Sequence, residues 1–185
     1  MKPREVRDLP PYGTKENTPL PDNNFFYRPW MSDTQIVVML DLLYRLNPMR
    51  CLEFGSGFST CLFPKFIGVD ALWVSIEHLD YFKWAIEKDI PQNVRLVVEP
   101  LGDRYVTIAK ELAEKYGLFN FVLVDGDAPF RDRFVSLAAS IMSKGGILLR
   151  HDAPPENIPV IVDGRDVRED FEEHGLCHGF WWARK

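Results

Sequence analysis

The segment Leu52-Glu53-Phe54-Gly55-Ser56-Gly57-Phe58-Ser59-Thr60 constrains this chain more than any other. An apolar run leads into an acid, then two glycines one residue apart, then small hydroxylic residues able to open a helix. Glycine lets the backbone turn sharply and lets a ligand come close to the main chain. The N–H groups and positive end of the helix that follows favour a negative or strongly dipolar group. Such a strand–loop–helix holds a nucleotide-like ligand, and the acid ahead of the first glycine bears on which kind.

The rest of the chain supplies the frame for such a loop. Apolar runs suited to buried parallel strands cover residues 50–54, 72–76, 94–98, 121–124 and 147–149. Amphipathic stretches at 80–88, 104–116 and 130–143 lie between them. Strands alternating with helices predict a parallel sheet covered on both faces. A last helix over 167–174 leads to a final strand around 177–183. Ahead of the alternation, Ser32 and Gln35 form a capping-box signature. Ile36, Leu40 and Leu43 follow at helical spacing until Pro48. Residues 1–30 hold six prolines and no periodicity, and read as an extended arm ahead of a single domain over 31–185. The arm ends in the aromatic run Phe25-Phe26-Tyr27-Arg28-Pro29-Trp30, apolar enough to be pinned to the body.

Composition excludes several classes. A chain of 185 residues is one domain with room for a substantial core. Its net charge of −5 comes without a lysine or arginine cluster, which argues against a nucleic-acid surface. No apolar run approaches the ~20 residues that span a bilayer. Cys51, Cys61 and Cys177 are odd in number and share no metal-ligand spacing, so they read as free thiols of a reducing compartment. With a charged, proline-bearing N-terminus, the expected location is cytoplasmic.

In a parallel sheet the ligand sits outside the carboxyl ends of the strands. Five successive strand ends deliver acids or glycines to that rim: Glu53-Phe54-Gly55, Glu77, Gly102-Asp103, Asp125-Gly126-Asp127 and His151-Asp152. In these segments the chain resembles a class I S-adenosylmethionine-dependent methyltransferase, and the small-molecule O-methyltransferase branch in particular. The glycine loop resembles that family's first motif, and residues 73–77 its second strand with a terminal acid. Leu101-Gly102-Asp103 resembles its turn after the third strand, and residues 121–127 its fourth. Lys144-Gly145-Gly146 leads into the fifth. The resemblance runs over residues 50–152 and weakens beyond.

The resemblance implies a Rossmann-like doubly wound α/β sheet of six or seven mainly parallel strands, with helices on both faces. The spacing after Asp152 is short enough that one strand of the closing hairpin is expected to be missing or reduced. Pro64, a few residues into the helix after the glycine loop, predicts that this helix is short or bent. The resemblance also implies S-adenosylmethionine as cofactor. Glu53, Gly55, Ser56, Gly57, Ser59 and Thr60 would surround its amino-acid end. Glu77 would accept from the ribose hydroxyls, with His78 against the adenine. Gly102 and Asp103 would meet the adenine edge.

Asp125, His151 and Asp152 are the candidate catalytic residues, for a small-molecule acceptor methylated at oxygen. His151 can act as general base. A divalent cation on Asp125 and Asp152 is the less favoured alternative, because a histidine fits poorly in an oxygen-rich shell. Asp125 can also serve only to orient the acceptor or the cofactor, and the resemblance places it among the cofactor-binding residues as well. Candidate acceptor walls are Phe26, Tyr27, Trp30, Phe130, Arg131 and the 153–164 loop, and Arg28, Arg131 and Arg150 could read an acidic substrate. The arm can close over its own site or over a neighbour's in a homo-oligomer.

Two other classes stay open. A Gly-X-Gly loop with an acid ~20 residues on also describes a dinucleotide site of an oxidoreductase, although Thr60 stands where that fingerprint has a third glycine. A non-catalytic S-adenosylmethionine-binding module would keep the cofactor acids and lack an acceptor site.

Overall fold

In the computed structural model residues 29–152, 161–162 and 164–185 are described. The first helix, α1 (Asp33–Leu46), starts on its capping box: Gln35 N donates to the Ser32 hydroxyl at 3.3 Å, and Ser32 N to Gln35 Oε1 at 2.8 Å. It ends at Asn47, whose left-handed backbone turns the chain ahead of Pro48. Its Ile36, Met39, Leu40 and Leu43 form one buried stripe.

Five parallel strands follow, alternating with helices. They are β1 (Arg50–Phe54), α2 (Phe58–Leu62), β2 (Leu72–Glu77), α3 (Asp80–Ile86), β3 (Val94–Val98), α4 (Asp103–Tyr116), β4 (Phe119–Val124), α5 (Arg131–Ile141) and β5 (Met142–Arg150). A short antiparallel pair, β6 (Ile161–Val162) and β7 (Arg165–Asp166), precedes the closing hairpin of β8 (Glu173–Cys177) and β9 (Phe180–Arg184). The main sheet runs β3-β2-β1-β4-β5-β9-β8, with β9 antiparallel to both its neighbours.

Three expectations are corrected. The sheet has seven strands, because both strands of the closing hairpin are present. The expected helix over 167–174 is a single 3-10 turn, Val167–Asp170, and the chain is extended again from Glu173. Residues 142–143 begin β5 rather than ending a helix. Pro64 acts as expected: α2 is only five residues long and passes into the 3-10 turn Phe63–Phe66.

Alternate strand residues build two cores. Leu52, Phe54, Val74, Ile76, Val122, Val124 and Leu148 pack under α4 and α5. Cys51, Trp73, Phe121, Leu123, Ile147 and Leu149 pack under α1 and the α2 segment. Trp181 and Trp182 divide in the same way, one in each core. No helix among the described residues is long and apolar enough to cross a membrane, and Cys51, Cys61 and Cys177 are free thiols.

Strand order reverses between β1 and β4, which opens a crevice at their carboxyl ends. The ladder continues past the strands there, through Gly55 N to Ile76 O (2.8 Å), Asp125 N to Phe54 O (2.9 Å) and His151 N to Val124 O (3.0 Å). Gly55 (φ +88°) lies so close to the β4 loop that a Cβ would stand 2.7 Å from Asp125 O and 2.8 Å from Gly126 Cα.

Beneath this loop lies Glu53, wholly buried in β1 on the side of α2. Its carboxylate accepts from the Ser59 hydroxyl (2.5 Å), the Thr60 hydroxyl (2.7 Å) and Trp73 Nε1 (2.9 Å). The Thr60 oxygen in turn accepts from Gly57 N at 3.1 Å. Burial pushes the Glu53 carboxyl up to about 7, against the pull of the Ser59, Thr60, Trp73 and Ser75 side chains.

Two outcomes follow. Gly55→Ala should lower unfolding free energy by roughly 2–4 kcal/mol in urea titration, since it meets backbone and also demands a positive φ. Glu53 binds its proton more tightly folded than unfolded, so stability should fall as pH rises from 4.5 towards about 7 and then level off. The fall is on the order of 3 kcal/mol. Unfolding of Glu53→Gln across that window should lack this component.

Candidate active site

Three carboxylates, an imidazole and a guanidinium gather at the carboxyl ends of β1, β2, β4 and β5. At the end of β2, Glu77 is buried, and both its oxygens are engaged. Oε2 accepts from Ser56 N (2.7 Å) and the Ser56 hydroxyl (3.0 Å), and Oε1 from His78 N (2.8 Å) and Leu79 N (3.0 Å). Those four donors match the capacity of an ionised carboxylate. Glu77 therefore ties the glycine loop to the β2 end, twenty-one residues further on.

The loop donors are arranged differently from the sequence expectation. The N–H groups of Gly55, Ser56 and Gly57 each already have a partner, in Ile76 O, Glu77 Oε2 and Thr60 Oγ1. Ser59 and Thr60 turn inward to Glu53, so these three residues shape the loop from beneath it. Open space remains beside Gly57 and beside Gly102. Asp103 opens α4 with its side chain 90% exposed and paired to Arg133 Nη2 at 2.7 Å.

Tyr105 lies between these groups and was not singled out in the sequence. Its ring is buried edge-on against Phe134 (5.1 Å), Phe130 (5.8 Å) and His78 (5.6 Å). Its hydroxyl has no hydrogen-bond partner among the described residues, and neither does His78 Nδ1, 3.0 Å from Glu77 Oε1. Burial, then the Glu77 and Asp127 carboxylates, hold the phenol well above its ordinary pKa. Buried polar atoms without partners are uncommon. Two of them beside Glu77 and the switch point suit a ligand with hydrogen-bonding hydroxyls and ring nitrogens.

Across the crevice, Asp125 and His151 come from adjacent strand ends. His151 Nδ1 lies 2.8 Å from Asp125 Oδ1, and its ring packs on Phe180 at 5.4 Å. The residue is 2% exposed. Its other nitrogen, Nε2, faces Gln35 Oε1 and Asp152 Oδ1, each at 3.4 Å. Gln35 thus caps α1 and reaches the imidazole as well, a second role that its capping signature hides. Asp152 holds a left-handed backbone (φ +52°), a conformation that costs energy and clusters at working sites.

Arg131, at the start of α5, closes the group. Its Nε donates to Gly126 O at 2.9 Å and its Nη1 to His151 O at 3.2 Å. The guanidinium also lies 3.6 Å from Asp125 Oδ1 and 3.6 Å from Asp152 Oδ2. Arg150 is committed elsewhere, to Asp132 at 2.9 Å. Phe130 packs with Tyr105 and Phe134, as part of the core edge rather than a free wall. Phe26, Tyr27, Arg28 and residues 153–160 lie outside the described residues.

Asp125, His151 and Asp152 could offer three metal-ligand atoms within 4.8 Å of one another. The donor set does not suit a cation. Asp125 Oδ1 already receives the imidazole and the guanidinium, and that guanidinium brings a positive charge to both carboxylates.

No protein-family model and no curated protein matches the chain. Solved structures do match its fold. The O-methyltransferase TomG of Streptomyces achromogenes, involved in tomaymycin synthesis and solved with SAM, is 19% identical. The match covers 83% of this chain and 80% of that one, at a TM-score of 0.61. An O-methyltransferase of Bacillus cereus in complex with SAH is 17% identical over 84% of this chain and 82% of that one, with a TM-score of 0.58. MycE of the mycinamycin biosynthetic pathway, solved with Mg and SAH, is 14% identical over 88% of this chain and 50% of that one, with a TM-score of 0.58. The seven-stranded sheet, its β3-β2-β1-β4-β5-β9-β8 order and these likenesses together give the chain the Rossmann-like fold of the class I methyltransferases.

Proposed function

We propose that this chain is an S-adenosylmethionine-dependent methyltransferase acting on a small-molecule hydroxyl, with His151 as general base. The observation that carries the reading is the Asp125–His151 pair, 2.8 Å apart at the rim beside the glycine loop and the switch point. When bound, S-adenosylmethionine supplies an activated methyl group with a neutral thioether as leaving group. The chain's part is to bind, align, exclude water and take one proton.

Asp125 accepts from His151 Nδ1–H and so fixes the tautomer that leaves Nε2 with a lone pair. A hydroxyl proton taken by Nε2 makes a cation whose two N–H groups point at Asp125 on one side, and at Gln35 Oε1 and Asp152 on the other. Those acceptors favour the protonated ring as it forms. Glu77 would take the ribose diol, which competes with the Ser56 hydroxyl for the same oxygen. Tyr105 supplies an unpartnered hydroxyl nearby, and His78 lies against Glu77 with Nδ1 3.0 Å from Oε1. Gly102 and Asp103 border the open space next to α4, suited to a ring edge. The similar fold of structures solved with SAM or SAH supports this reading.

Calorimetric titration with S-adenosylhomocysteine tests the cofactor half. Binding should be seen, Glu77→Ala should weaken it by more than about tenfold, and Tyr105→Phe by about three- to tenfold, the worth of one hydrogen bond. Silence with S-adenosylhomocysteine, or saturable binding of NADH in its place, would refute the proposal. The chemical half is tested on pools of hydroxylated small molecules with radiolabelled methyl donor. His151→Gln should retain S-adenosylhomocysteine affinity and lower kcat by about 10²–10⁴-fold. Tight cofactor binding with no acceptor in any pool would identify a binding module instead.

A further inference from the structure

We infer that Arg131 occupies the electrostatic place of a divalent cation in this site, so that the Asp125–His151–Asp152 cluster excludes metal and works as a metal-free acid–base group. Its catalytic part rests on the methyl-transfer reading, but its electrostatic part does not.

The geometry is that of a cation site already filled from within. Two carboxylates from adjacent strand ends converge, as they would on a metal ion. The guanidinium lies 3.6 Å from an oxygen of each. It is not a passing surface contact. Its side chain is only 15% exposed, and Gly126 O and His151 O take its Nε and Nη1. The carbonyls that hold it belong to the same two loops that carry the acids. Arg131 thus moves with the cluster and cannot swing clear without losing two backbone hydrogen bonds.

The charge balance follows. Two carboxylates without a cation attract a divalent ion; the guanidinium between them halves that negative charge and sets its own positive charge 3.6 Å from an oxygen of each, where the ion would sit. Arg131 is accordingly a positioning residue. It aligns Asp125 and Asp152 about the imidazole and leaves proton transfer to His151. Side-chain shape matters too: a planar fork reaches both carboxylates and two carbonyls at once, where a lysine offers a point charge.

The test titrates the full chain with Mn²⁺ by calorimetry, alone and with S-adenosylhomocysteine. It uses wild type, Arg131→Met and Arg131→Lys, with thermal unfolding to establish that each is folded. Wild type should show no saturable Mn²⁺ binding below about 1 mM, and Arg131→Lys should behave alike. Arg131→Met should gain Mn²⁺ affinity by at least about tenfold, and lose that gain when Asp125→Asn is added. Wild type binding Mn²⁺ below about 100 µM, with loss in Asp125→Asn, would overturn the inference, as would a folded Arg131→Met without the gain. The wild-type result decides even if Arg131→Met does not fold. The same samples report S-adenosylhomocysteine binding, so failure of the methyl-donor reading registers separately from failure of the metal exclusion.

Discussion

The site depends on one close approach, the meeting of Gly55 with Asp125 and Gly126 where strand order reverses. A Cβ on Gly55 would stand 2.7 Å from Asp125 O, and one on Gly126 would stand 2.9 Å from the Tyr105 hydroxyl. The two loops can close to this distance only because Gly55 carries no side chain, while the absence of one at Gly126 leaves room for Tyr105 and Phe134. Because they do, the parallel ladder runs on from Ile76 through Gly55 and from Phe54 through Asp125. It then steps across to His151 through Val124. The rim is therefore an extension of the sheet, and its polar groups inherit the sheet's rigidity.

Three of the carboxylates at or beneath this rim, Glu53, Glu77 and Asp125, are treated differently. Glu53 is given only neutral donors, two hydroxyls and an indole, so burial dominates and its proton is held to about 7. Glu77 is given backbone N–H groups and the Ser56 hydroxyl, which spread its charge over two loops. Asp125 is given the Arg131 guanidinium at 3.6 Å and the His151 imidazole at 2.8 Å. A carboxylate among neutral dipoles fixes geometry. A carboxylate facing an imidazole and a guanidinium also fixes the orientation of both. On the proposed function, the division puts proton transfer on the β4 side of the crevice and cofactor holding on the β2 side.

Much of this was legible in the sequence. The bounds of β1 and β3 follow from apolar runs flanked by polar residues, and the capping box of α1 from Ser32 and Gln35 alone. The five strand ends named the acids of the rim. What escaped reading did so for physical reasons. Val167 and Phe171 stand four apart, with Arg168, Glu169 and Asp170 between them, which mimics one turn of an amphipathic helix. Gly175 and Gly179 instead belong to a hairpin, and both are packed close, with Trp182 and Gln35 respectively. Tyr105 reads as an ordinary apolar position of α4, since only the fold brings its hydroxyl to Gly126. Arg131 could not be told from a surface arginine, because its partners Asp125 and Asp152 come from two other strands. Local pattern reports which face is buried, and it is silent on which buried polar atoms meet.

The placement of His151 shows how the two ends of the described chain serve the site between them. Gln35 lies in the first turn of α1, and its side-chain nitrogen stands 2.8 Å from where a Cβ on Gly179 would be, in the turn of the closing hairpin. Phe180, next in sequence, packs on the His151 ring. The helix start and the hairpin turn therefore close over the imidazole from two sides, which is why it is 2% exposed although it follows an edge of the crevice. Removing water from this pair strengthens the Asp125 hydrogen bond and the Arg131 field together. It also makes the reactivity of Nε2 depend on the packing of α1 against the hairpin. The closing hairpin thus packs directly around the imidazole, with Phe180 on its ring and the Gly179 turn against the Gln35 side chain that faces Nε2.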